Sequence, residues 1–222
     1  MGRLSQTNLK IKMSLNSNYT RTRVKVCGMS DPDNVRQTVA CGVDAIGMIL
    51  HADSPRKISL DQAKAVRQVV PAFVSLVGVF VDCDAETINH YCDYAGLDLV
   101  QLHGSESNDF GKQLHRPFVK AIRAQNADQT NKQADLFPDA KALLLDPYVK
   151  GQHGGTGKQL DLSLWPTKAN QPLILAGGLS SDNVGNAVQS VGPFAVDLNS
   201  GIEDSPGIKN IALLEQAIKN IS

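Results

Sequence analysis

The sequence predicts a single-domain (β/α)8 barrel, also called a TIM barrel, and three observations support this fold class. Eight short apolar runs, rich in Val, Ile, Leu and Phe, follow one another between residues 23 and 199. Most are continuously apolar rather than alternating, which is typical of parallel strands buried on both faces. Helical patterns with one apolar stripe separate the runs, and eight strand–helix units in about 200 residues fit the lower end of this barrel's size range. An open doubly wound sheet is the alternative, because it shares this alternation.

The eight apolar runs are interpreted as the barrel strands in chain order. They occupy residues 23–27, 44–50, 75–81, 97–102, 117–122, 141–146, 172–176 and 193–199. In both candidate folds the carboxyl ends of the strands lie at one edge, and ligands bind there. The residues that follow each strand are therefore the candidates for chemistry.

Three segments carry a clear helical pattern. In residues 59–70, Ser59 and Gln62 have the spacing of a capping box, and the predicted buried stripe is Ala63, Val66 and Val70. In residues 180–191 the stripe is Val184, Ala187, Val188 and Val191. In residues 207–221 it is Ile208, Ile211, Leu214, Ile218 and Ile221. Each stripe predicts a helix that packs one face against the barrel.

The composition indicates one globular domain behind a short tail. With 42% hydrophobic and 20% charged residues, a chain of 222 residues can bury one sizeable core. Residues 1–22 are rich in Ser, Asn, Thr, Lys and Arg, and no acidic residue precedes Asp31. We interpret residues 1–22 as a flexible N-terminal tail and residues 23–222 as the catalytic barrel domain. A targeting presequence, or a true start at Met13, is the alternative for the tail.

Charge and cysteine usage narrow the class of partner. The 22 basic and 22 acidic residues cancel, which argues against nucleic acid or an anionic membrane surface and favours a small molecule. No apolar stretch approaches the roughly 18 residues of a membrane span, and no signal peptide is recognisable, so a cytoplasmic location is expected. The cysteines form no C-x-x-C pair and the histidines no H-x-x-x-H pair. We therefore predict reduced thiols and no metal site.

Glycine-rich loops follow the last two strands and predict a phosphate site. Gly177 and Gly178 run into a helix start, and Asn199, Ser200 and Gly201 leave the neighbouring strand. Glycines let a phosphate approach backbone N–H groups, and a helix N-terminus adds donors and a favourable dipole. Barrels of this kind often bind phosphate after strands seven and eight. Turn formation alone is the other explanation of such glycines.

Two side chains at strand ends could move protons. Asp146 closes the sixth strand, where partial burial would raise the pKa of its carboxyl group and let it donate a proton near neutral pH. Cys27 ends the first strand ahead of a helix start, whose dipole would lower the thiol pKa and favour a thiolate that can act as a base. A helix cap or an ion pair with Lys120 is the alternative for Asp146, and simple packing is the alternative for Cys27.

Two further side chains could hold an anionic substrate. Arg56 follows Ser54 and Pro55 in a stiffened loop, and its guanidinium could bind two oxygens of a carboxylate or phosphate at once. His103 is a candidate substrate-binding residue, with a core histidine as the alternative. The segment GGTGK at residues 154–158 lacks the Walker spacing, and we interpret it as a mobile active-site loop.

Taken in order, the motifs resemble those of one enzyme family. They are KVCGM, SPRKIS, VGVFV, VQLHG, LLLD with GGTGK, LAGGL, and DLNSGIE with PGIK. From about residue 23 to the C-terminus, the sequence closely resembles the phosphoribosylanthranilate isomerases of tryptophan biosynthesis. The resemblance implies a (β/α)8 enzyme that converts N-(5-phosphoribosyl)anthranilate to the 1-deoxyribulose phosphate by an Amadori rearrangement. It also implies that no metal or organic cofactor takes part.

The resemblance further implies a role for the candidate residues. Cys27 would be the general base, Asp146 the general acid, and Arg56 the group that holds the anthranilate carboxylate. The loops at Gly177–Gly178 and Asp197–Gly201 would hold the phosphate. Barrels of this kind occur both alone and paired, so a monomer or a homodimer is expected.

Two segments depart from the family pattern, and two rival functions remain open. This chain has GMIL in its second strand and LDLSLW after the glycine loop, so Met48, Leu50 and Leu160 are expected to alter packing and the wall of the anthranilate pocket. One rival is another phosphosugar isomerase or synthase on the same barrel, which would more naturally use paired aspartates. The other is a catalytically silent barrel that only binds phosphate.

Overall fold

The computed structural model describes residues 20–124, 126–147, 161–166 and 169–221. Eight of its strands match the eight predicted ones, and each bound lies within two residues of its prediction. They are β1 (Arg23–Val26), β2 (Ala45–His51), β3 (Ser75–Phe80), β4 (Leu99–Leu102), β5 (Phe118–Ala124), β6 (Ala142–Pro147), β7 (Leu173–Leu175) and β8 (Ala195–Leu198).

The eight strands are parallel and close into a barrel in chain order. β1 pairs with β8 to complete the ring, which places Arg23 beside Ala195 and Lys25 beside Asp197. An open sheet would have two edge strands, each paired on one side only. Closure therefore confirms the predicted (β/α)8 barrel and excludes the doubly wound alternative.

Helices connect the strands around the outside of the barrel. They are α1 (Pro32–Ala40), α2 (Leu60–Arg67), α3 (Ala85–Ala95), α4 (Asn108–Gly111), α5 (Ala127–Asp135), α6 (Val184–Val191) and α7 (Ile211–Ile221). A 3-10 turn at Leu162–Leu164 lies between β6 and β7, and β9 (Glu203–Ser205) pairs antiparallel with β10 (Ile208–Lys209) after β8.

The capping box predicted for the second helix is confirmed. The Gln62 N–H donates to the Ser59 hydroxyl at 3.2 Å, and the Ser59 N–H donates to the Gln62 side-chain oxygen at 2.9 Å. Ala63 and Val66 are buried as predicted, whereas Val70 is buried beyond the end of α2 at Arg67. The helix stops early because Val70 precedes Pro71, and a residue before proline disfavours the helical conformation.

The last predicted helix is wrong at its beginning. Ile208 lies in strand β10, because Gly207 has a φ of 90° and reverses the chain into a hairpin with β9. α7 begins at Ile211, where the Asn210 side chain accepts a hydrogen bond from the Leu213 N–H at 3.0 Å. Leu214 is buried as predicted. The hairpin carries the charged side chains of Glu203 and Lys209 to the carboxyl ends of the barrel strands.

The strands bury side chains on both faces, which explains their continuously apolar sequence. Outward-facing residues pack against the helices, and Met48 and Leu50 belong to this outer core. Inward-facing residues fill the barrel as an inner cluster of Val119, Ala121, Ala142, Leu144, Ile174, Ala176 and Ala195. Above it, towards the carboxyl ends of the strands, Cys27, Ile49 and Val79 form a smaller cluster.

The part of the chain that the structure describes contains no helix long and apolar enough to cross a membrane. Residues 1–19 lie outside it, so most of the predicted N-terminal tail is untested and stays a prediction. The described chain enters the barrel through Arg21, whose guanidinium pairs with Asp44.

Candidate active site

A cavity of about 200 Å3 lies at the carboxyl ends of the barrel strands. Its walls come from the carboxyl-terminal ends of the strands, Asp146 of β6 among them, and from residues that follow β1, β2, β3, β4, β7 and β8. The predicted site residues that line it are Cys27, Arg56, His103, Asp146, Gly177, Gly178, Asp197 and Ser200. The structure therefore brings the proposed acid, base and anion-binding residues into one space.

Cys27 presents its thiol to this cavity from the end of β1. The residue is 5% exposed, and its backbone N–H donates to the Leu198 carbonyl at 2.8 Å. Burial raises the pKa of the thiol, and the nearby charge of Lys25 only partly opposes this effect. The expectation that the α1 dipole lowers this pKa is therefore wrong, because loss of hydration outweighs the favourable charges.

A buried ion pair lies beside Cys27. The Lys25 ammonium donates to both carboxylate oxygens of Asp197 at 2.8 Å, and both side chains are 8% exposed. Since a carboxylate repels phosphate, Asp197 can serve the predicted phosphate loop only through its position at the end of β8. Sequence reasoning missed Lys25, although a lysine two residues before Cys27 lies on the same strand face.

A hydrogen-bonded chain of three side chains holds Asp146. The Gln101 amide nitrogen lies 3.0 Å from His103 Nδ1, and His103 Nε2 lies 3.2 Å from Asp146 Oδ2. Because an amide nitrogen only donates, Nδ1 is the acceptor and the ring carries its proton on Nε2. Asp146 thus accepts from His103 through Oδ2. Gln101 is 2% exposed, and the sequence analysis did not identify it.

The other oxygen of Asp146 faces the glycine loop. A Cβ at Gly177 would lie 3.2 Å from Asp146 Oδ1 and would collide with the Pro147 ring, and Gly177 has a φ of 87°. Only glycine fits such a close approach in this conformation. Oδ1 is therefore the carboxyl oxygen that faces the loop after β7, away from His103.

Lys120, the alternative partner of Asp146, instead binds Glu106. Its ammonium donates to Glu106 at 2.8 Å and to the Gly104 carbonyl at 2.6 Å, and both side chains are at most 4% exposed. Glu106 in turn accepts from the N–H groups of Asp82 and Gly104 at 2.8 and 2.9 Å. This pair folds the loop after β4, which carries His103.

The two glycine loops lie side by side and are joined to each other. Gly178 has a φ of 59°, and its carbonyl accepts from the Asn183 side chain at 2.8 Å. Asn183 precedes α6 but makes no side-chain cap to it. Gly201 does not line the cavity; it forms a bridge with Ser180 and packs directly on the Leu179 carbonyl, where a Cβ would clash. This bridge ties the loop after β8 to the loop after β7.

Arg56 is fixed by a carboxylate that the sequence analysis did not assign. Its Nε donates to the Glu203 carboxylate at 2.9 and 3.0 Å, and its Nη2 donates at 2.6 Å. The Lys209 ammonium donates to the same carboxylate at 2.6 Å and to Asn199 Oδ1 at 2.9 Å. Hydrogen bonds from these cations hold the pKa of Glu203 below its usual range against the opposing effect of burial. Glu203 and Lys209 lie in the motif segments GIE and PGIK, but neither segment indicates which side chain these residues contact.

Other expectations fall elsewhere in the structure. Met48 and Leu50 pack against the helices, and Ile49 between them lines the cavity, so the first two do not form the pocket wall. The strand period of two places them on the opposite face. Leu160 and the GGTGK segment at 154–158 lie outside the described residues. The described residues contain no group of three or more His, Cys, Asp or Glu side chains that could hold a metal ion.

Known proteins resemble this chain over most of its length. The sequence profile described as "PRAI: N-(5'phosphoribosyl)anthranilate (PRA) isomerase" matches residues 24–220. The N-(5'-phosphoribosyl)anthranilate isomerase of Pseudomonas putida strain KT2440 is 39% identical over 202 residues, which cover 91% of this chain and 98% of that protein. The homologue of Pseudomonas aeruginosa strain LESB58 is 42% identical over 190 residues, covering 86% and 90%.

Two solved structures are similar to this chain over most of its length. One shows monomers of the dimeric phosphoribosylanthranilate isomerase of Thermotoga maritima, with a TM-score of 0.80, 32% identity, and coverage of 90% of this chain and 98% of that one. The other is a phosphoribosylanthranilate isomerase in complex with reduced 1-(o-carboxyphenylamino)-1-deoxyribulose 5-phosphate, with a TM-score of 0.79, 31% identity and the same coverage.

Proposed function

Because the chain belongs to the N-(5'-phosphoribosyl)anthranilate isomerase family, we propose that its cavity converts N-(5'-phosphoribosyl)anthranilate to 1-(2-carboxyphenylamino)-1-deoxyribulose 5-phosphate in tryptophan biosynthesis. The observation that carries the proposal is that Cys27, Asp146 and Arg56 line one cavity together with the two glycine loops. A base, an acid and two anion-binding regions are what this substrate requires, since it carries an exchangeable carbon-bound proton, a ring oxygen, a carboxylate and a phosphate.

Asp146 starts the reaction as the general acid. It gives the proton on Oδ1 to the ring oxygen of the ribose, the bond between that oxygen and C1 breaks, and the nitrogen lone pair forms a Schiff base. His103 holds the other carboxyl oxygen at 3.2 Å, so the acidic oxygen is aimed at the cavity. A positioned acid of this kind contributes about 10²- to 10⁴-fold to a rate.

Cys27 completes the reaction as the general base. Its thiolate takes the proton from C2, and the electrons of that C–H bond form the enolamine. The enolamine then loses the proton of its C2 hydroxyl group and gains one at C1, which yields the ketone. C1 is reduced and C2 is oxidised within one molecule, so the chemistry requires no external electron carrier.

Two anchors hold the substrate between the acid and the base. The guanidinium of Arg56 binds the anthranilate carboxylate through Nη1, because Glu203 occupies Nε and Nη2. Backbone N–H groups at Gly177, Gly178 and Ser200, which line the cavity, bind the phosphate, and Gly201 supports them through its bridge with Ser180. His103 lines the same cavity, but its side chain contacts Asp146. Its proposed role is therefore to hold Asp146, and any contact with the substrate is secondary.

We further infer a cytoplasmic enzyme that acts on a small phosphosugar and needs neither nucleic acid nor a membrane. A homologue described as dimeric supports a homodimer as one of the two expected assemblies, beside a monomer. Analytical ultracentrifugation of the purified chain distinguishes them.

Turnover tests the proposed function directly. Purified protein should abolish the anthranilate-type fluorescence of N-(5'-phosphoribosyl)anthranilate as product forms, and the gene should restore growth of a tryptophan auxotroph that lacks this isomerase. Arg56→Ala should raise KM and lower kcat/KM by at least about tenfold, because a charged hydrogen bond is lost in ground and transition states alike. A protein that binds phosphosugars without turnover would instead be the silent barrel.

A further inference from the structure

The buried ion pair of Lys25 and Asp197 lies where the barrel interior meets the active-site cavity. The inner cluster of the barrel is apolar, yet two charged side chains occupy the position next to Cys27. Both residues are buried. Desolvating two charges is costly, and apolar residues of similar volume often stabilise a core as well or better. Stability alone therefore does not explain why a charge pair is placed here.

The Lys25 ammonium lies near the Cys27 thiol. Lys25 and Cys27 are two residues apart on β1, so their side chains share the inner face of the strand. Both pack on Gly47 of β2, where a Cβ would lie 2.8 Å from Cys27 Sγ and 3.1 Å from Lys25 Nζ. A larger residue than glycine would push the sulfur and the ammonium apart. The absence of a side chain at position 47 thus allows the two groups to approach each other.

The charges around the thiol do not act in the same direction. Burial raises the pKa of Cys27, and Lys25 is the charged neighbour that lowers it most. Asp197 opposes Lys25 and raises it, whereas Lys209 lowers it. Burial would also lower the pKa of Lys25, but Asp197 and Cys27 together keep it raised, so its ammonium stays charged. Arg56 adds positive charge beside the cavity, and His103 and Asp146 face Cys27 from the other walls.

We propose that Lys25 and Asp197 are positioning residues that together set how readily Cys27 gives up its proton, with Lys25 favouring the thiolate and Asp197 restraining it. This inference rests on the proposed role of Cys27 as the base, and it assigns Asp197 a task other than phosphate binding. The pair keeps the positive charge at a fixed distance from the sulfur. Because Lys25 is tied to both oxygens of Asp197, its ammonium cannot turn away from the thiol.

Opposite shifts from two neutralising substitutions test the proposal. The rate of iodoacetamide alkylation of Cys27 is followed against pH by peptide-resolved mass spectrometry, which separates it from Cys41, Cys83 and Cys92. Lys25→Met should move the titration midpoint upward by about one pH unit or more, and Asp197→Asn should move it downward. If the pair were only structural, the two substitutions would not shift the alkylation midpoint of Cys27 in opposite directions. Equal shifts, or none, would overturn the proposal.

A second buried pair provides the matched control. Lys120 and Glu106 form an ion pair of similar burial, but their charges serve the loop after β4. Lys120→Met with Glu106→Gln should leave the alkylation midpoint of Cys27 where it is. If Lys25→Met does not fold, Asp197→Asn tests the proposal by itself, because the asparagine amide keeps the shape of the side chain and one acceptor for Lys25. A downward shift of the Cys27 midpoint in this variant would support the proposal, and no shift or an upward shift would overturn it.

Alkylation needs no substrate, so it separates this inference from the proposed function. Opposite shifts in a protein that does not isomerise the phosphoribosyl substrate would refute the proposed function and keep the inference. A protein that isomerises it with unshifted midpoints would refute the inference alone. At pH 7, Lys25→Met should also lower kcat about tenfold while KM changes less than about threefold, since the charge acts on the base and not on the bound groups.

Discussion

Each proposed functional residue at the cavity has a polar neighbour that lies beside it or holds it. The ion pair of Lys25 and Asp197 lies beside Cys27, His103 binds Asp146, and Glu203 binds Arg56. In the proposed mechanism, each neighbour orients the group that meets the substrate or acts on it through its charge. Preorganised groups of this kind avoid reorganisation when the reaction begins. The positions of these three side chains alone would not define the chemistry.

The pH dependence of thiol reactivity follows from the environment of Cys27. Burial raises the pKa of the thiol, and only the thiolate is alkylated, so the rate at which iodoacetamide inactivates the enzyme should increase with pH. The increase should continue through a midpoint above the ordinary thiol value of about 8.5. Residual isomerase activity after timed alkylation between pH 6 and 10 measures this rate. An inactivation rate that is the same at pH 7 and at pH 10 would contradict the role of Cys27.

Some residues of the cavity could be predicted from the sequence and others could not. That Cys27 and Asp146 line one cavity could be predicted, because each ends a strand and strand ends converge in a barrel. Lys25 and Gln101 could not, because they lie inside strands and a lone polar residue in an apolar run has many explanations. The direction of the Cys27 pKa was misjudged for a physical reason. A helix dipole is visible in the sequence, whereas the degree of burial depends on the closed fold.

Among the elements, the hairpin of β9 and β10 has the clearest functional role. It follows β8 and carries Glu203 and Lys209 to the loop of Arg56. The Lys209 side chain is fully buried, so the hairpin is fixed in place by the same network that orients the guanidinium. The sequence pattern predicted a helix where β10 lies, because Ile208 extends the apolar stripe of α7 by chance.

Neutralising the hairpin carboxylate should weaken binding of the substrate carboxylate. Glu203→Gln removes the charge that holds Nε and Nη2 of Arg56, so KM should rise by about tenfold while kcat falls less. Steady-state kinetics measure both. Asp204→Asn is the control, because Asp204 lies on the same hairpin but pairs with Asn210 at the surface. An unchanged KM in Glu203→Gln would show that Arg56 keeps its direction by other contacts.

The capping box of α2 should contribute to stability in a measurable way. Ser59→Ala removes the acceptor for the Gln62 N–H and should lower the free energy of unfolding by about 1 kcal/mol. Urea denaturation followed by circular dichroism measures the change. Ser190→Ala is a suitable control, since Ser190 lies inside α6 and only bonds back to Asn186. Equal losses in the two variants would mean that the cap itself has no special effect.

At the scale of the whole molecule, closure of the barrel creates the site. β1 and β8 are the first and last barrel strands in the chain, and their pairing places Lys25 beside Asp197. The fold class, the strand bounds and the convergence of the loops follow from apolar runs of strand length, and these were predictable. The network around Arg56 was not, since it joins side chains 147 residues apart, and no local pattern reports such a contact.

The predicted N-terminal tail should be dispensable for activity. The barrel closes through residues from Arg23 onward, so a protein beginning at Thr20 should keep kcat/KM and the urea midpoint within experimental error. Steady-state kinetics and urea denaturation of the shortened and the full-length protein measure the two quantities. A loss of more than about threefold in kcat/KM would show that residues 1–19 contribute to the enzyme and would replace the tail interpretation.

The most direct measurement is turnover by two variants that each remove one proton-transfer group. Cys27→Ser replaces the thiol by a much weaker acid, and Asp146→Asn removes the acidic proton but keeps the shape. Each should lower kcat by at least about a hundredfold, while the affinity for the reduced product analogue stays within about threefold of the parent protein. Near-normal turnover in either variant would show that the cavity performs its chemistry with other groups.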